Sequence, residues 1–163
     1  MIEPTTLIKI AFVTILLLAA YSDARRYLIP NVYSAAVVLL FIAAKLTGFD
    51  FPEPLWTHLL HFGIALGVGL ALFYFRWFGG GDVKLYAAIA LWFGMSQALL
   101  LLLITTVTGA LIVVARMIWF ALATWFGRDS APGAQKARMF ERRIAYGIAI
   151  AAGGISSLFI VYP

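Results

Sequence analysis

The longest apolar stretch of the chain, Leu85 to Phe126, restricts the fold more than any other feature. As one helix it would be about 63 Å long, whereas the hydrocarbon core of a bilayer is about 30 Å thick. The stretch must therefore turn once, and we place the turn at "FGMSQ", Phe93 to Gln97. Apolar runs without period-two alternation indicate membrane helices rather than a membrane barrel.

The composition agrees with a protein built against lipid. Hydrophobic residues make up 64% of the 163 residues and charged residues only 12%. A soluble globular protein is closer to half apolar and a quarter charged. The chain has no cysteine, which excludes disulfides, thiol catalysis and a cysteine-based zinc site. We therefore expect an all-α, polytopic membrane protein that forms a single domain over residues 1–163.

Six membrane helices can be placed along the chain. The predicted spans are Pro4 to Tyr21, Asn31 to Gly48, Trp56 to Phe75, Leu85 to the turn, the turn to Phe126, and Ile144 to Val161. The fourth helix is predicted to be short, and half-buried or tilted beside a cavity. A basic polar loop, Arg128 to Arg143, precedes the last span.

Basic residues are concentrated on one side of the predicted bundle. All lysines and arginines except Lys9 and Lys45 fall at or near loops of that side. The positive-inside rule makes it the cytosolic side, and an even number of spans then puts both termini outside. Residues 1–22 lack the basic leader of a secretory signal peptide, so we expect the first span to be retained. This topology explains the net charge of +5 without nucleic acid as a partner.

Two of the seven acids, Asp23 and Asp82, lie beside long apolar runs at the predicted cytosolic ends of spans. Ionisable groups at membrane depth are costly and are usually functional or paired. Two neighbouring carboxylates can share one proton, so that the ionised one accepts a proton from water while the neutral one polarises a carbonyl. Such a pair predicts an aspartic protease whose two acids titrate together. That mechanism needs water and no cofactor or metal.

Three glycines, Gly79, Gly80 and Gly81, lead directly into Asp82. Because they lack side chains, an extended substrate backbone could approach Asp82 closely. They also permit a non-helical joint after the third span. A glycine-rich turn with an acid is common between helices, so a purely structural role is the alternative. A phosphate-binding loop fits poorly, since its lysine and hydroxyl are not correctly placed.

Asp23 also has a structural alternative. In "YSDARRYLIPN" it could pair with Arg25 or Arg26, or cap a short interfacial helix. Pro30 fits the first turn of the second helix, where its missing N–H costs nothing.

Three segments together resemble the prepilin peptidases, which are aspartic proteases of the GxGD type. They are "SDARRYLIPN" (Ser22 to Asn31), "GGGDVKLYAAIALWFG" (Gly79 to Gly94) and "RIAYGIAIAAGG" (Arg143 to Gly154). The third is similar to the last helix of the short Flp/Tad-type enzymes. The chain departs from the family at Ala145, where a proline often precedes the tyrosine. We also expect no cysteine-containing methyltransferase domain like that of the larger, bifunctional enzymes, since this sequence has no cysteine.

The resemblance implies that Asp23 and Asp82 are catalytic, with Gly79 and Gly81 flanking the second. It implies a substrate class, type IV (Flp-type) prepilins and pseudopilins, which carry a short basic leader and a hydrophobic helix. The leader would be removed at the cytosolic face of the bacterial inner membrane. The partners would be these substrates, membrane lipid and a pilus-assembly or secretion machinery. Lys84 or the Arg25–Arg26 pair could attract an acidic residue of the mature pilin, or serve only topology. The residues predicted to flank the substrate are Gly79, Gly80, Gly81, Lys84, Pro30 and Asn31.

Several residues also permit functions other than that of an aspartic peptidase. His58 and His61, one helical turn apart, could be structural or could be two metal ligands, although they lie on the predicted outer side. Ser156 and Ser157 could belong to a serine protease or could pack helices together. A non-enzymatic transporter or pilus-assembly scaffold could use the two aspartates as a proton or ion site.

Overall fold

The computed structural model describes residues 3–125 and 146–163, and these residues form six α-helices without a strand. The helices are α1 Pro4–Arg26, α2 Asn31–Leu46, α3 Leu55–Tyr74, α4 Gly80–Ala90, α5 Ala98–Trp125 and α6 Gly147–Val161. A 3₁₀ turn, Met95–Gln97, separates α4 from α5. The prediction of an all-α chain is confirmed. The predicted loop Arg128 to Arg143 and the predicted start of the last span at Ile144 lie outside the described residues.

Three segments of the described chain are long and apolar enough to cross a membrane: Pro4–Arg26, Leu55–Tyr74 and Met95–Ala123. Helices α2 and α6 are apolar but shorter. Helix α4 has only 11 residues, which corresponds to about 16 Å. The short fourth helix predicted from the length of the apolar stretch is therefore present, followed by a turn at the predicted place.

Two predicted boundaries were wrong. Helix α1 continues beyond Tyr21 to Arg26, because residues 22–26 contain no proline or glycine that would stop a helix. The helix ends where Tyr27 takes the left-handed conformation (φ 52°). Helix α4 begins at Gly80 rather than at Leu85. Asp23 and Asp82 consequently lie within helices, in the last turn of α1 and the first turn of α4.

Helix α4 occupies the centre of the bundle. It packs against α2 and α3 and also touches α6, while α1 packs on α2 and α6, and α5 packs on α6. A helix that is apolar on nearly every side must be enclosed by other helices. The buried residues of α4 are Val83, Leu85, Ala87, Ala88, Ile89 and Ala90.

The C-terminal end of α4 is buried, and its carbonyl groups need hydrogen-bond donors. Side chains from other elements donate to the carbonyls of residues 91–93. The donors are His58 Nδ1 to Leu91 (3.0 Å), His61 Nδ1 to Phe93 (2.9 Å) and the Tyr162 hydroxyl to Trp92 (2.6 Å). A carbonyl only accepts, so both imidazoles carry their proton on Nδ1. The histidine pair therefore has the structural role that was one of its two predicted alternatives.

Lys9 and Lys45, the two lysines predicted on the outer side, lie at the end of the bundle opposite Asp23 and the N-terminus of α4. Lys9 Nζ donates to the Tyr162 carbonyl at 2.7 Å, near the C-terminus of α6. Lys45 Nζ lies 4.9 Å from the centre of the Phe51 ring, beyond the C-terminus of α2. The bundle thus has one end that carries both aspartates and an opposite end that carries both of these lysines.

A loop acid supports the turn between α4 and α5 at the lysine end. Glu53 accepts hydrogen bonds from the Ser96 backbone N–H (3.3 Å) and from the Ser96 hydroxyl. Burial raises the pKa of Glu53, but hydrogen bonds from Ser96, Thr57 and Gln97 outweigh burial and lower this pKa below its ordinary value. The ionised carboxylate is therefore the form that holds the turn.

Candidate active site

Asp23 lies in the last turn of α1 and is only 5% exposed. Its Oδ2 accepts a hydrogen bond of 2.7 Å from the backbone N–H of Gly147, the first residue of α6. The first N–H groups of a helix have no partner within that helix, and the N-terminus favours a negative charge. Arg25, one of the predicted salt-bridge partners, lies 5.3 Å from the centre of the Tyr21 ring. Asp23 is therefore anchored to α6.

Gly147 allows this contact because it has no side chain. A Cβ atom at this position would lie 2.8 Å from Asp23 Oδ2 and 2.8 Å from Ile29 Cδ1. Carbon atoms in ordinary contact are about 3.5–4.0 Å apart. Any other residue at position 147 would push the carboxylate or α6 away.

Asp82 is the third residue of α4, and it interacts with the start of its own helix. Its carboxylate lies against Gly79, the residue that precedes the first helical one. A Cβ on Gly79 would lie 2.8 Å from Asp82 Oδ2. Each aspartate is thus packed against a glycine at a helix start.

The glycines differ in part from their predicted roles. Gly79 is extended (φ −75°, ψ 144°), whereas Gly80 and Gly81 form the first turn of α4. The predicted non-helical joint therefore ends at Gly79, because the two following glycines adopt helical angles. Gly81 is needed for packing, since a Cβ there would lie 3.0 Å from both Ile29 Cβ and the Ile29 carbonyl oxygen.

Ile29 connects the two aspartate-bearing regions. Its Cβ and carbonyl lie against Gly81 at the start of α4, and its Cδ1 lies against Gly147 at the start of α6. The two helix starts that anchor Asp82 and Asp23 are therefore packed on one side chain. Asp23 is also close enough for its charge to act on Asp82. The structure brings together the two acids that the sequence singled out.

A cavity of about 350 Å³ lies beside Asp82. We call it the α3–α5 cavity, because those two helices form its long walls. Such a volume falls within the range of ligand pockets, which is about 300–1,000 Å³. Its lining residues are His61, Ile64, Ala65, Val68, Gly69, Leu72, Phe78, Asp82, Val83, Tyr86, Met95, Ala98, Leu99, Leu102, Thr105, Thr106, Tyr146 and Ile150.

Comparison with protein families identifies the chain. The model of the type IV leader peptidase family matches residues 10–114, a range that contains both aspartates and the glycine segment. The chain belongs to the type IV leader peptidase family. This leader peptidase is accordingly a hydrolase, an aspartic protease of prepilin leaders, and its apolar helices make it a membrane protein. Comparisons with curated proteins and with solved structures found no match.

Two tyrosines complete the surroundings of Asp82 in the leader peptidase. Tyr86 follows Asp82 by one helical turn, and Tyr146 lies against the Phe78 ring with centroids 5.0 Å apart. Both tyrosines line the α3–α5 cavity together with Asp82. Tyr146 interacts electrostatically with Asp82, and Tyr86 with Tyr146. Residue-based reasoning missed Tyr86, although its spacing from Asp82 on a helix was a usable signal. Tyr146 entered only through a family resemblance.

The remaining predicted flanking residues of the leader peptidase are Lys84, Asn31 and Pro30, which lie near the starts of α4 and α2. Lys84 Nζ donates to Asn31 Oδ1 at 3.0 Å, which joins α4 to the start of α2. Neither residue is among those that line the α3–α5 cavity within the described chain. Pro30 is the N-cap of α2 (φ −58°, ψ 142°) rather than a residue of its first turn. The Lys84–Asn31 bond thus holds the start of α2 against α4.

The serine-protease alternative finds little support in the geometry. Ser157 is fully buried in α6, and its hydroxyl has no hydrogen-bond partner within the part of the chain that the structure describes. Ser156 is exposed on the same helix. A catalytic serine needs a general base within hydrogen-bonding reach, and Ser157 has none there.

Proposed function

We propose that this leader peptidase is a short Flp/Tad-type enzyme that uses Asp23 and Asp82 as its catalytic pair. It removes the basic leader from Flp-type prepilins and pseudopilins at the cytosolic face of the bacterial inner membrane. One observation carries the proposal: two carboxylates from different helices lie at the same end of the bundle, each packed against a glycine at a helix start. The Asp23 anchor is the 2.7 Å hydrogen bond from Gly147.

The chemistry follows from this arrangement. Two nearby carboxylates favour a state that shares one proton, because both cannot ionise cheaply side by side. The ionised member accepts a proton from water, whose oxygen attacks the scissile carbonyl carbon. The neutral member donates a hydrogen bond to the carbonyl oxygen, and the departing amine takes up a proton as the C–N bond breaks. The shared proton belongs to the pair, so neither role is fixed to one residue.

The charge distribution supports cleavage on the cytosolic side. Arg25, Arg26 and Lys84 are exposed at the aspartate end of the bundle, whereas Lys9 and Lys45 lie at the opposite end. By the positive-inside rule the aspartate end faces the cytosol. We propose six membrane passes, with α4 as a short fourth pass, and both termini outside. The enzyme would then act on a prepilin before the pilin joins an assembly or secretion machinery.

Processing in cells tests this proposal. A Flp-type prepilin and a type IV pseudopilin would each be co-expressed with the wild-type peptidase, and the new N-terminus would be read by mass spectrometry. We expect the leader to be removed from the Flp-type precursor. Removal of the pseudopilin leader alone would contradict the Flp/Tad assignment. If neither precursor is processed by well-folded protein, the transporter or scaffold alternative regains support.

A further inference from the structure

The α3–α5 cavity follows α4 along its length. At one end it is lined by Asp82, Phe78 and Tyr146, and at the other end by His61 and Met95, which lie near the C-terminus of α4. These ends are separated by the whole of α4, about 16 Å at 1.5 Å per residue. The cavity therefore starts at a candidate catalytic carboxylate and extends in the direction in which a substrate would enter the membrane.

The walls of the α3–α5 cavity are apolar and lie between two candidate membrane spans. Helix α3 packs on α4 and α5 packs on α6, so the cavity separates α3 from α5. Several wall side chains are also exposed at the protein surface, which shows that the cavity is open between the two helices. These side chains are Ile64, Val68, Leu99 and Leu102.

We propose that the α3–α5 cavity binds the apolar membrane helix of the substrate, in the segment that directly follows the scissile bond. This inference rests on the proposed function, because it takes Asp82 as catalytic. For a peptide cut at Asp82, the cavity is an apolar path that leads away from that carboxylate. One face of a helix of about 11 residues would match its length, with the rest of the helix outside the cavity. The basic leader would remain at the cytosolic end, among the polar groups.

Charge and shape both favour this occupant over a polar peptide. Asp82 is the one charged side chain among the described residues that line the cavity. A polar segment placed against the remaining walls would lose its water without gaining hydrogen bonds, which is costly. The helix could enter sideways from the lipid, since the cavity opens between α3 and α5. A lipid acyl chain is the competing occupant, and the experiment separates the two.

Two substrates and matched variants test the inference. One substrate is the full prepilin, and the other is a soluble peptide that spans the cut but ends before the apolar helix. Ala65→Phe and Ala98→Phe fill the cavity, whereas Ala71→Phe and Ala110→Phe place the same ring on exposed positions of the same two helices. Purified proteins would be compared in liposomes, with thermal unfolding as a check on folding.

For the cavity variants we expect the KM of the full prepilin to rise about tenfold, the scale of losing one buried apolar side chain. Cleavage of the short peptide and all constants of the exposed variants should change by less than about twofold. A rise that is equal for both substrates, or no rise, would overturn the inference and leave the proposed function intact. If the wild type cleaves neither substrate, the proposed function falls, and the inference falls with it.

Photo-crosslinking identifies the occupant directly. A photoreactive phenylalanine analogue would replace Leu102, which lines the cavity, or Leu111, which is exposed on α5 outside it. Both would be placed in the Asp82→Asn background, so that the prepilin stays uncut. The inference predicts a crosslink from position 102 to the apolar helix of the prepilin, and none from position 111. A crosslink from position 102 to lipid alone would overturn it.

Discussion

Replacing Gly147 by alanine perturbs one anchor of the candidate catalytic pair by a single methyl group. The new Cβ would lie 2.8 Å from Asp23 Oδ2, 2.8 Å from Ile29 Cδ1 and 3.0 Å from Asp23 Cβ. Ordinary contacts begin at 3.4 Å, so the carboxylate must move by about 0.6 Å. Because Ile29 crowds the other side of the methyl group, α6 has little freedom to rotate instead.

The magnitude follows from the hydrogen bond and from the displacement. A hydrogen bond to a charged group is worth about 1.5–3 kcal/mol. If that stabilisation is lost in the transition state, the rate falls about 10- to 150-fold at 1.36 kcal/mol per decade. A displacement of about 1 Å alone can cost about 100-fold. We therefore expect Gly147→Ala to lower kcat about 100-fold with a small change in KM.

The assay is leader removal by purified protein in liposomes, with Gly67→Ala as the matched control. A Cβ on Gly67 would meet nothing within 4 Å, so this control should cleave at the wild-type rate. Thermal unfolding would show whether each variant is folded. A folded Gly147→Ala protein that cleaves within about twofold of wild type would show that the contact with Asp23 does not control the rate.

Three further predictions concern His58, Glu53 and the independence of cleavage from metal ions. His58→Phe leaves the buried Leu91 carbonyl unpaired and should cost about 1–3 kcal/mol of unfolding free energy, seen as a lower Tm; an unchanged Tm would contradict this role. Glu53 has a lowered pKa, so its stabilisation is full above its ordinary value of 4.5 and is lost as the pH falls below it. The loss of Tm on acidification should therefore be smaller in Glu53→Gln, and an equal loss in both proteins would refute the assignment. Cleavage should persist in excess EDTA, since an aspartyl pair activates water itself; a loss restored by a divalent cation would contradict it.

The helix content and the position of the aspartates could be predicted because they depend on the lengths of the apolar stretches and on the number of turns between them. An apolar stretch that is too long for one pass must turn, which correctly predicted a short α4 and the turn before α5. Alternation of passes then placed Asp23 and Asp82 at the same end. The end of α1 was missed, because hydropathy falls at Tyr21 while the backbone has no reason to leave the helix before Tyr27.

The remaining features depend on contacts between distant segments. The hydrogen bond that anchors Asp23 joins residues 124 positions apart, and no local pattern encodes it. The roles of His58 and His61 depend on the buried carbonyls that follow α4, which appear only when that helix is enclosed. The bond of Lys84 to Asn31 likewise joins two helices, and it depends on how α4 packs against α2.

The catalytic role of the aspartate pair is tested most directly by the single-turnover rate of leader removal in Asp23→Asn and Asp82→Asn. Each change keeps the shape of the side chain and removes its negative charge, and purified folded protein would be mixed in excess with a prepilin in liposomes. Both variants should lose at least about 10³-fold in rate, the scale of losing general acid–base catalysis, while still binding the prepilin. A folded variant that cleaves at the wild-type rate would show that its aspartate is structural and would contradict the assignment of the pair.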